Sequence, residues 1–275
     1  MTKYHKAVVF GGSGMIGSKV VAGLKAAGLD VLSASRRTGV NTVTGEGLAQ
    51  ALAGADIVVD ASDVPSYDLD TLGAFFRTSG ANIFAAARAA GVRHHVTLSI
   101  VGVDVVRGNP YFDAKLTQEE AVRASGVPYT IARATQFYEF LPTIASGLAR
   151  DGVARLPGAC FRPLAAGDVA AALVTIALGA ARNDAVTIAG PEIATFDAWL
   201  QRFFNLTGDT RTAVTDPDAT YFGGRLQANS IAPASPDFVG PTTLENWMTS
   251  PAAAIALADD RHADAAKMID QHLSH

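Results

Sequence analysis

The chain of 275 residues has one cysteine, Cys160. That excludes an internal disulfide and a thiolate metal cluster. Lying in Pro-Gly-Ala-Cys-Phe, Cys160 reads as a buried bystander. Charge is sparse, at 17% of residues, and sums to −4. No run of Lys or Arg forms a basic stripe, and a phosphate backbone requires one, so no nucleic-acid partner is expected. Long apolar runs are also missing. Residues 164–181 come nearest, but Gly167 and Asp168 interrupt them, and the stretch reads as a buried helix and not a membrane span. The apolar run after Lys6 is short and meets glycine at once, so no secretory signal is expected and the expected location is the cytoplasm. His94 and His95 open a strand without a second ligand at useful spacing, so no metal site is expected. His262, His272 and His275 lie on a polar terminal helix and read as solvated.

What is present is a large apolar share, 49% of residues, enough for the core of one large α/β domain or one with a small annex. Short β-branched runs alternate with helical spacing. Strands are expected at 7–10, 31–35, 56–60, 95–101 and 129–133. Helices are expected at 16–27, 48–53, 80–90 and 115–125, each ending at a glycine. Such repetition implies a parallel sheet covered on both faces. The second half is less regular: helices at 166–181 and 196–206, a strand at 185–189, a Pro- and Gly-rich stretch at 217–241, and an amphipathic helix at 252–273. The expected organisation is residues 1–155 as the main domain and 156–275 as a smaller substrate-binding lobe, packed as a single compact unit over the sheet's carboxyl edge.

Gly11-Gly12-Ser13-Gly14-Met15-Ile16-Gly17 follows the first strand and opens the first helix. Gly11, Gly14 and Gly17 fit G-x-x-G-x-x-G. The chain must turn tightly, let backbone amides approach a pyrophosphate, and pack helix on strand. With a strand before it and a helix after it, the motif points to a dinucleotide and a Rossmann-type doubly wound sheet. Ser13, Met15 and Ile16 join the three glycines as candidate cofactor contacts. An NAD site places an acid at the end of the second strand. This chain has Ser35-Arg36-Arg37 there, and Asp30 lies too early for that role. Forked guanidiniums suit a 2′-phosphate, so NADP (as NADPH) is expected over NAD.

These segments, with Ala90-Gly91-Val92-Arg93-His94-His95-Val96 and Leu98-Ser99, resemble the atypical branch of the short-chain dehydrogenase/reductase superfamily. The stretches 111–120 and 128–137, with Ala189-Gly190-Pro191-Glu192 and Trp247, are similar to its NmrA-like group. That resemblance implies an NAD(P)-binding Rossmann fold, but it says little of the reaction, because the group holds both reductases and redox-sensing regulators. Tyr111 and Lys115 have the Tyr-x-x-x-Lys spacing, which places both on one helical face. A phenol with a pKa of about 10 is a poor acid–base group near neutrality, and a nearby ammonium favours its phenolate. In the mechanism the resemblance implies, Lys115 bonds the nicotinamide ribose, Tyr111 protonates a carbonyl oxygen, and Ser99 holds that oxygen. Simpler readings stay open: Tyr111 at a loop–helix junction with its hydroxyl in solvent, and Ser99 as a strand end. Asn82 reads as a helix N-terminal residue before a proton-relay member, and Asp168 as a cap. By the same resemblance Gln136 and Phe137 border the substrate pocket; the alternative is a core aromatic cluster with Tyr138 and Phe140.

The function expected is NADPH-dependent reduction of a small, partly hydrophobic carbonyl or quinone-like compound, by a monomer or homodimer without a membrane partner. The alternative is a non-catalytic NADP-binding redox sensor of the NmrA type.

Overall fold

The computed structural model describes residues 4–63 and 69–259. Along the first half the elements are β1 (Lys6–Phe10), α1 (Gly17–Ala26), β2 (Asp30–Ala34), α2 (Leu48–Leu52), β3 (Ile57–Asp60), α3 (Leu69–Ala90), β4 (His94–Ile100), α4 (Pro110–Ala124) and β5 (Tyr129–Ala134). There follow α5 (Leu141–Leu148), β6 (Ala149–Arg150), β7 (Val153–Leu156), β8 (Cys160–Phe161), α6 (Ala166–Leu178), β9 (Asp184–Ala189) and β10 (Ala194–Thr195). The last are α7 (Phe196–Thr207), β11 (Thr212–Thr215), β12 (Phe238–Val239), α8 (Leu244–Met248) and α9 (Pro251–Leu257).

A seven-stranded parallel sheet runs in the order β12-β9-β5-β4-β3-β1-β2. This is a Rossmann-type α/β fold. Its central strands are buried on both faces, which explains their continuous apolar runs: every residue of β3, and Ala7 to Phe10 of β1, is buried. The strand order reverses at β1, which pairs with β2 on one side and β3 on the other. The crevice beyond the carboxyl end of such a strand is where open α/β sheets bind ligands.

Residue contacts group the chain into two units built from interleaved segments, in place of a single break near residue 155. The first comprises residues up to Ile100, Ala114–Ala134 and Gly167–Thr187; the second comprises Val101–Asp113, Thr135–Ala166 and Ile188 onward. The first unit holds β1 to β5 and a core that includes Val8, Phe10, Val58, Ile83, Phe84 and Ile131. The second holds the three-stranded sheet β11-β7-β6 and the antiparallel pair β8 and β10. Its organiser is α7, where Phe196, Trp199, Leu200, Phe203 and Phe204 are buried at helical spacing.

Four helices differ from the sequence expectation. The helix expected at 80–90 starts at Leu69, because Leu72 and Phe76 carry its buried stripe back past Gly80. Asn82 is therefore inside α3 and not at its start. Its amide donates to the carbonyls of Thr42 (2.9 Å) and Val43 (2.8 Å) and tethers that loop. The helix expected at 115–125 starts at Pro110, and the one expected at 166–181 stops at Leu178, with Asp168 in its first turn. The helix expected at 252–273 ends at Leu257, with Ala258 and Asp259 outside it; residues 260–275, with the three late histidines, fall outside the described residues. Cys160 is half-buried on β8, not fully enclosed. No helix among the described residues is long and apolar enough to cross a membrane.

Candidate dinucleotide and active site

The loop after β1 is built from close backbone approaches. Gly11 has φ +70°, and a Cβ there would lie 2.5 Å from the Ala61 carbonyl oxygen. A Cβ on Gly17 would lie 2.2 Å from the Gly11 carbonyl oxygen. The glycines are required because any side chain would push the loop open. Gly12 is pressed as closely, 2.5 Å from the Ser33 hydroxyl oxygen, and a Cβ on Gly14 would lie 3.2 Å from the Gly11 carbonyl oxygen. The Gly14 N–H closes the turn on the Gly11 carbonyl at 2.8 Å. Ser13, Gly14 and Met15 are exposed, while Ile16 and Gly17 are buried beneath them. Helix α1 starts here with no side chain capping it, and its dipole places positive charge at this end. A Cβ-free cradle beside an uncapped helix start suits a pyrophosphate.

Ser35 leaves the sheet beside this loop, since its predecessor Ala34 pairs with Phe10. A single 3₁₀ turn follows, Arg36–Thr38. The Ser35 N–H donates to the Thr38 hydroxyl at 2.9 Å, which fixes the turn. Arg36 and Arg37 are exposed, and neither guanidinium has a partner among the described residues. Both are available to an anion.

Helix α4 carries Tyr111 in its first turn and Lys115 one turn on. Asn109 starts it. The Asn109 side-chain oxygen accepts from the Tyr111 N–H (3.0 Å) and the Phe112 N–H (3.3 Å), and its amide donates to the Tyr221 carbonyl (3.0 Å). Pro110 sits at the first helical position, where its missing N–H is harmless. Tyr111 is half-buried and Lys115 is buried. The Lys115 ammonium donates to the Leu98 carbonyl (2.7 Å) and to Oε1 of Gln118. Burial pulls its pKa below the usual lysine value, against the opposing pull of Asp63, Asp60 and Glu119.

Ser99 is turned elsewhere. Its hydroxyl donates to Glu119 at 2.7 Å. The Glu119 carboxylate is fully buried and also takes a forked pair of bonds from Arg133 (2.9 and 2.7 Å) and one from Arg123 (3.0 Å). Burial pushes this carboxyl up, but Arg133, Ser99 and Arg123 outweigh it and hold the group below its ordinary value.

In the second unit Gln136 is 4% exposed, and neither atom of its amide has a partner among the described residues. Phe137 is half-buried. Of the other aromatics of that stretch, Tyr138 is core, and Phe140 is half-buried, 6.4 Å from Phe222. Tyr138 lies 6.0 Å from Trp199 and 5.7 Å from Trp247, and Phe161 stacks on Phe196 at 4.2 Å.

A family described as NAD(P)H-binding matches residues 11–180, more than half of the chain. The chain belongs to this NAD(P)H-binding family. A (4-alkanoyl-5-oxo-2,5-dihydrofuran-3-yl)methyl phosphate reductase of Streptomyces griseus is 32% identical over 207 residues, 68% of this chain and 69% of its own. Among solved structures, a short-chain dehydrogenase/reductase superfamily protein from Agrobacterium tumefaciens with bound NAD is similar at a TM-score of 0.64, with 20% identity over 98% of both chains. The triphenylmethane reductase of a Citrobacter species, in complex with NADP(H), gives 0.58, with 19% identity over 98% of this chain and 90% of that one. These solved structures share the fold of this NAD(P)H-binding protein. Three residues around α4 escaped the sequence reading: Asn109, Gln118 and Asp60. Asn109 was open to recognition, since Asn-Pro before a helix is a start signal. Gln118 and Asp60 carry no sequence signal, because their roles depend on a contact 58 positions apart in the chain.

Proposed function

We propose that this protein is an NADPH-dependent reductase of a small, partly hydrophobic carbonyl or quinone-like compound. Helix α4 carries the reading: its capped start brings Tyr111 into the helix, with Lys115 four residues on and on the same face. The cradle at Gly11 and Gly17 supports a bound dinucleotide, and the unpartnered Arg36 and Arg37 support a 2′-phosphate on it, with Ser35 bracing the turn. A nicotinamide dinucleotide, when bound, supplies the hydride. The loop from Ser13 to Gly17 would hold its phosphates, through N–H groups other than that of Gly14, and Lys115 would hold its ribose. The Tyr111 hydroxyl gives its proton to the substrate oxygen, and the Lys115 charge favours the phenolate left behind. Ser99 acts through Glu119, as a brace and not as a donor to substrate. Gln136 is the better candidate to meet a polar substrate atom, because a buried amide without partners calls for one. Phe137 supplies apolar surface beside it. The Streptomyces griseus relative is named for a substrate bearing alkanoyl and 5-oxo groups, in keeping with a carbonyl compound.

A second reading, a non-catalytic NADP sensor, draws on the same site. The hydroxyl of Ser99 and the ammonium of Lys115 are both already engaged by protein groups. One experiment separates the readings. Titration with NADPH and NADH is followed by turnover across ketones, aldehydes and quinones, with Tyr111→Phe as control. The reductase reading expects tighter NADPH binding, and turnover reduced by about 10²-fold or more in Tyr111→Phe. Binding without turnover on any member of the panel, and no effect of Tyr111→Phe, establishes the sensor instead.

A further inference from the structure

We propose that Gln118 and Asp60 are positioning residues for Lys115, holding its ammonium in place and tying it to the glycine loop that follows β1. The inference rests on the reading above, in which Lys115 meets the cofactor, and deepens it.

Lys115 is 4% exposed. Its ammonium has three N–H donors and meets the Leu98 carbonyl and Gln118 Oε1, with the Phe76 ring 4.8 Å away. Asp63, Asp60 and Glu119 all act on its charge, and Asp60 is also tied to it by a side-chain bridge. Gln118 Nε2 donates to Asp60 Oδ2 at 3.2 Å. Asp60 Oδ1 accepts from the Ser62 N–H at 3.0 Å and the Ser62 hydroxyl at 2.5 Å. A glutamine amide has one accepting and one donating end. Here the accepting end faces a cation and the donating end faces a carboxylate, so charge on both sides fixes its orientation. An apolar residue at 118 would leave the buried ammonium short of an acceptor.

The same short segment reaches the glycine loop. Asp60 is the last residue of β3 and pairs with Phe10, the residue before Gly11. The Ala61 N–H donates to the Phe10 carbonyl at 3.1 Å, and the Ala61 carbonyl is the group that forbids a side chain on Gly11. Asp60 to Ser62 therefore touches the start of the loop through its backbone and Lys115 through Gln118. A shift at either end is transmitted through one rigid strand end. Gln118 and Glu119 are neighbours in sequence but serve separate networks: Gln118 reaches Lys115 and Asp60, whereas Glu119 takes Ser99 and the arginines.

The test uses ¹⁵N-lysine-labelled full-length protein, in which a buried ammonium gives a slowly exchanging Nζ signal, assigned with Lys115→Arg. Gln118→Met is expected to abolish or shift that signal and to weaken NADPH binding about tenfold, the loss of one hydrogen bond to a charged group. Gln118→Glu keeps an acceptor for the ammonium and is expected to retain the signal, with its titration moved to higher pH. If Gln118→Met does not fold, Gln118→Glu carries the test, and an Nζ titration identical to the parent's overturns the proposal. A folded Gln118→Met with unchanged signal and NADPH affinity within twofold also overturns it. Failure of the parent protein to bind NADPH or NADH would instead sink the functional reading, and the Nζ signals would still decide whether Gln118 positions Lys115.

Discussion

In the first unit, buried charge is answered by side chains: Glu119 by Arg133, Arg123 and Ser99, and Lys115 by Gln118 along with the Leu98 carbonyl. In the second, the buried guanidinium of Arg162 is spent on backbone carbonyls, those of Gly190 (2.8 Å), Pro233 (2.7 Å) and Ala234 (3.1 Å). The difference follows from how each unit satisfies its main chain. Parallel strands pair their own N–H and C=O groups, which leaves polar side chains to meet one another. The second unit is rich in loops, whose buried carbonyls need donors from elsewhere. Arginine, with five donors and a long stem, is suited to that task. On the proposed function, the networks centred on α4 serve the chemistry, and the loop-borne ones hold the chain together.

The largest expected effect tests that claim in the first unit. Glu119→Gln removes the charge that Ser99, half-buried Arg133 and exposed Arg123 share, and stability is expected to fall by about 3–5 kcal/mol. Urea unfolding at neutral pH checks it. The carboxyl's folded pKa is depressed, so its contribution is complete above the ordinary carboxylate range and disappears as pH falls through the lower folded value. A loss below about 1 kcal/mol would show that the network is a bystander to folding, and the contrast between the units would fail.

His95 sharpens the comparison through pH. The ring is fully buried against Phe84, and its Nε2 meets the Thr97 hydroxyl at 2.8 Å. Burial lowers its pKa to about 4, the Asp60 charge opposing and His94 reinforcing the shift. The fold therefore refuses a proton that the unfolded chain accepts. Stability is expected to decline as pH drops from about 6.5 toward 4, by up to about 3 kcal/mol, of which about 2 kcal/mol falls between pH 7 and 5. His95→Phe should flatten that slope. Hydrogen exchange at pH 5 should show the first unit's strands losing protection while α7 keeps its own. An unchanged slope in His95→Phe would assign the acid response to other groups.

A smaller effect is expected in the second unit from Trp247→Phe. The indole N–H donates to Glu139 Oε1 at 3.0 Å, and the other oxygen of Glu139 accepts from the Ala166 N–H at the start of α6. Replacement leaves a carboxylate oxygen short of its donor and a small void, at about 2 kcal/mol in total. Thermal unfolding checks it. Because this bond serves the chain and not a reaction, turnover by the folded variant is expected to match the parent's.

Legibility followed the same division. The strands of the first unit were readable because both faces are buried and the apolar runs are unbroken, as in Ile57–Asp60. The glycine loop was readable because its geometry is local. Elements such as Ala149–Arg150, Cys160–Phe161 and Phe238–Val239 were not: strands of two residues carry no period, and distant partners fix them. In the candidate site, the sequence pointed to Tyr111 and Lys115 by spacing. It could not show that Ser99 is engaged by Glu119, since that depends on which way one hydroxyl points in a folded sheet.

The smallest expected effect falls at Asn109, where loop and helix meet within the second unit. Asn109→Ala removes the acceptor for two N–H groups at the start of α4 and the donor to the Tyr221 carbonyl. A lost cap costs about 1 kcal/mol of stability. Its value as a test lies in what else it moves. The first turn carries Tyr111, so fraying there is expected to lower kcat while leaving the NADPH dissociation constant, which the proposal assigns to the glycine loop and Lys115, within twofold. Asn109→Asp keeps the cap acceptor and loses the bond to Tyr221. Stability restored in Asn109→Asp, together with kcat, would mean that capping alone places Tyr111. Stability restored without kcat would mean that the tie to Tyr221, a loop carbonyl held by a side chain, serves the reaction as well, and the separation between chemical and structural networks would then break at this residue.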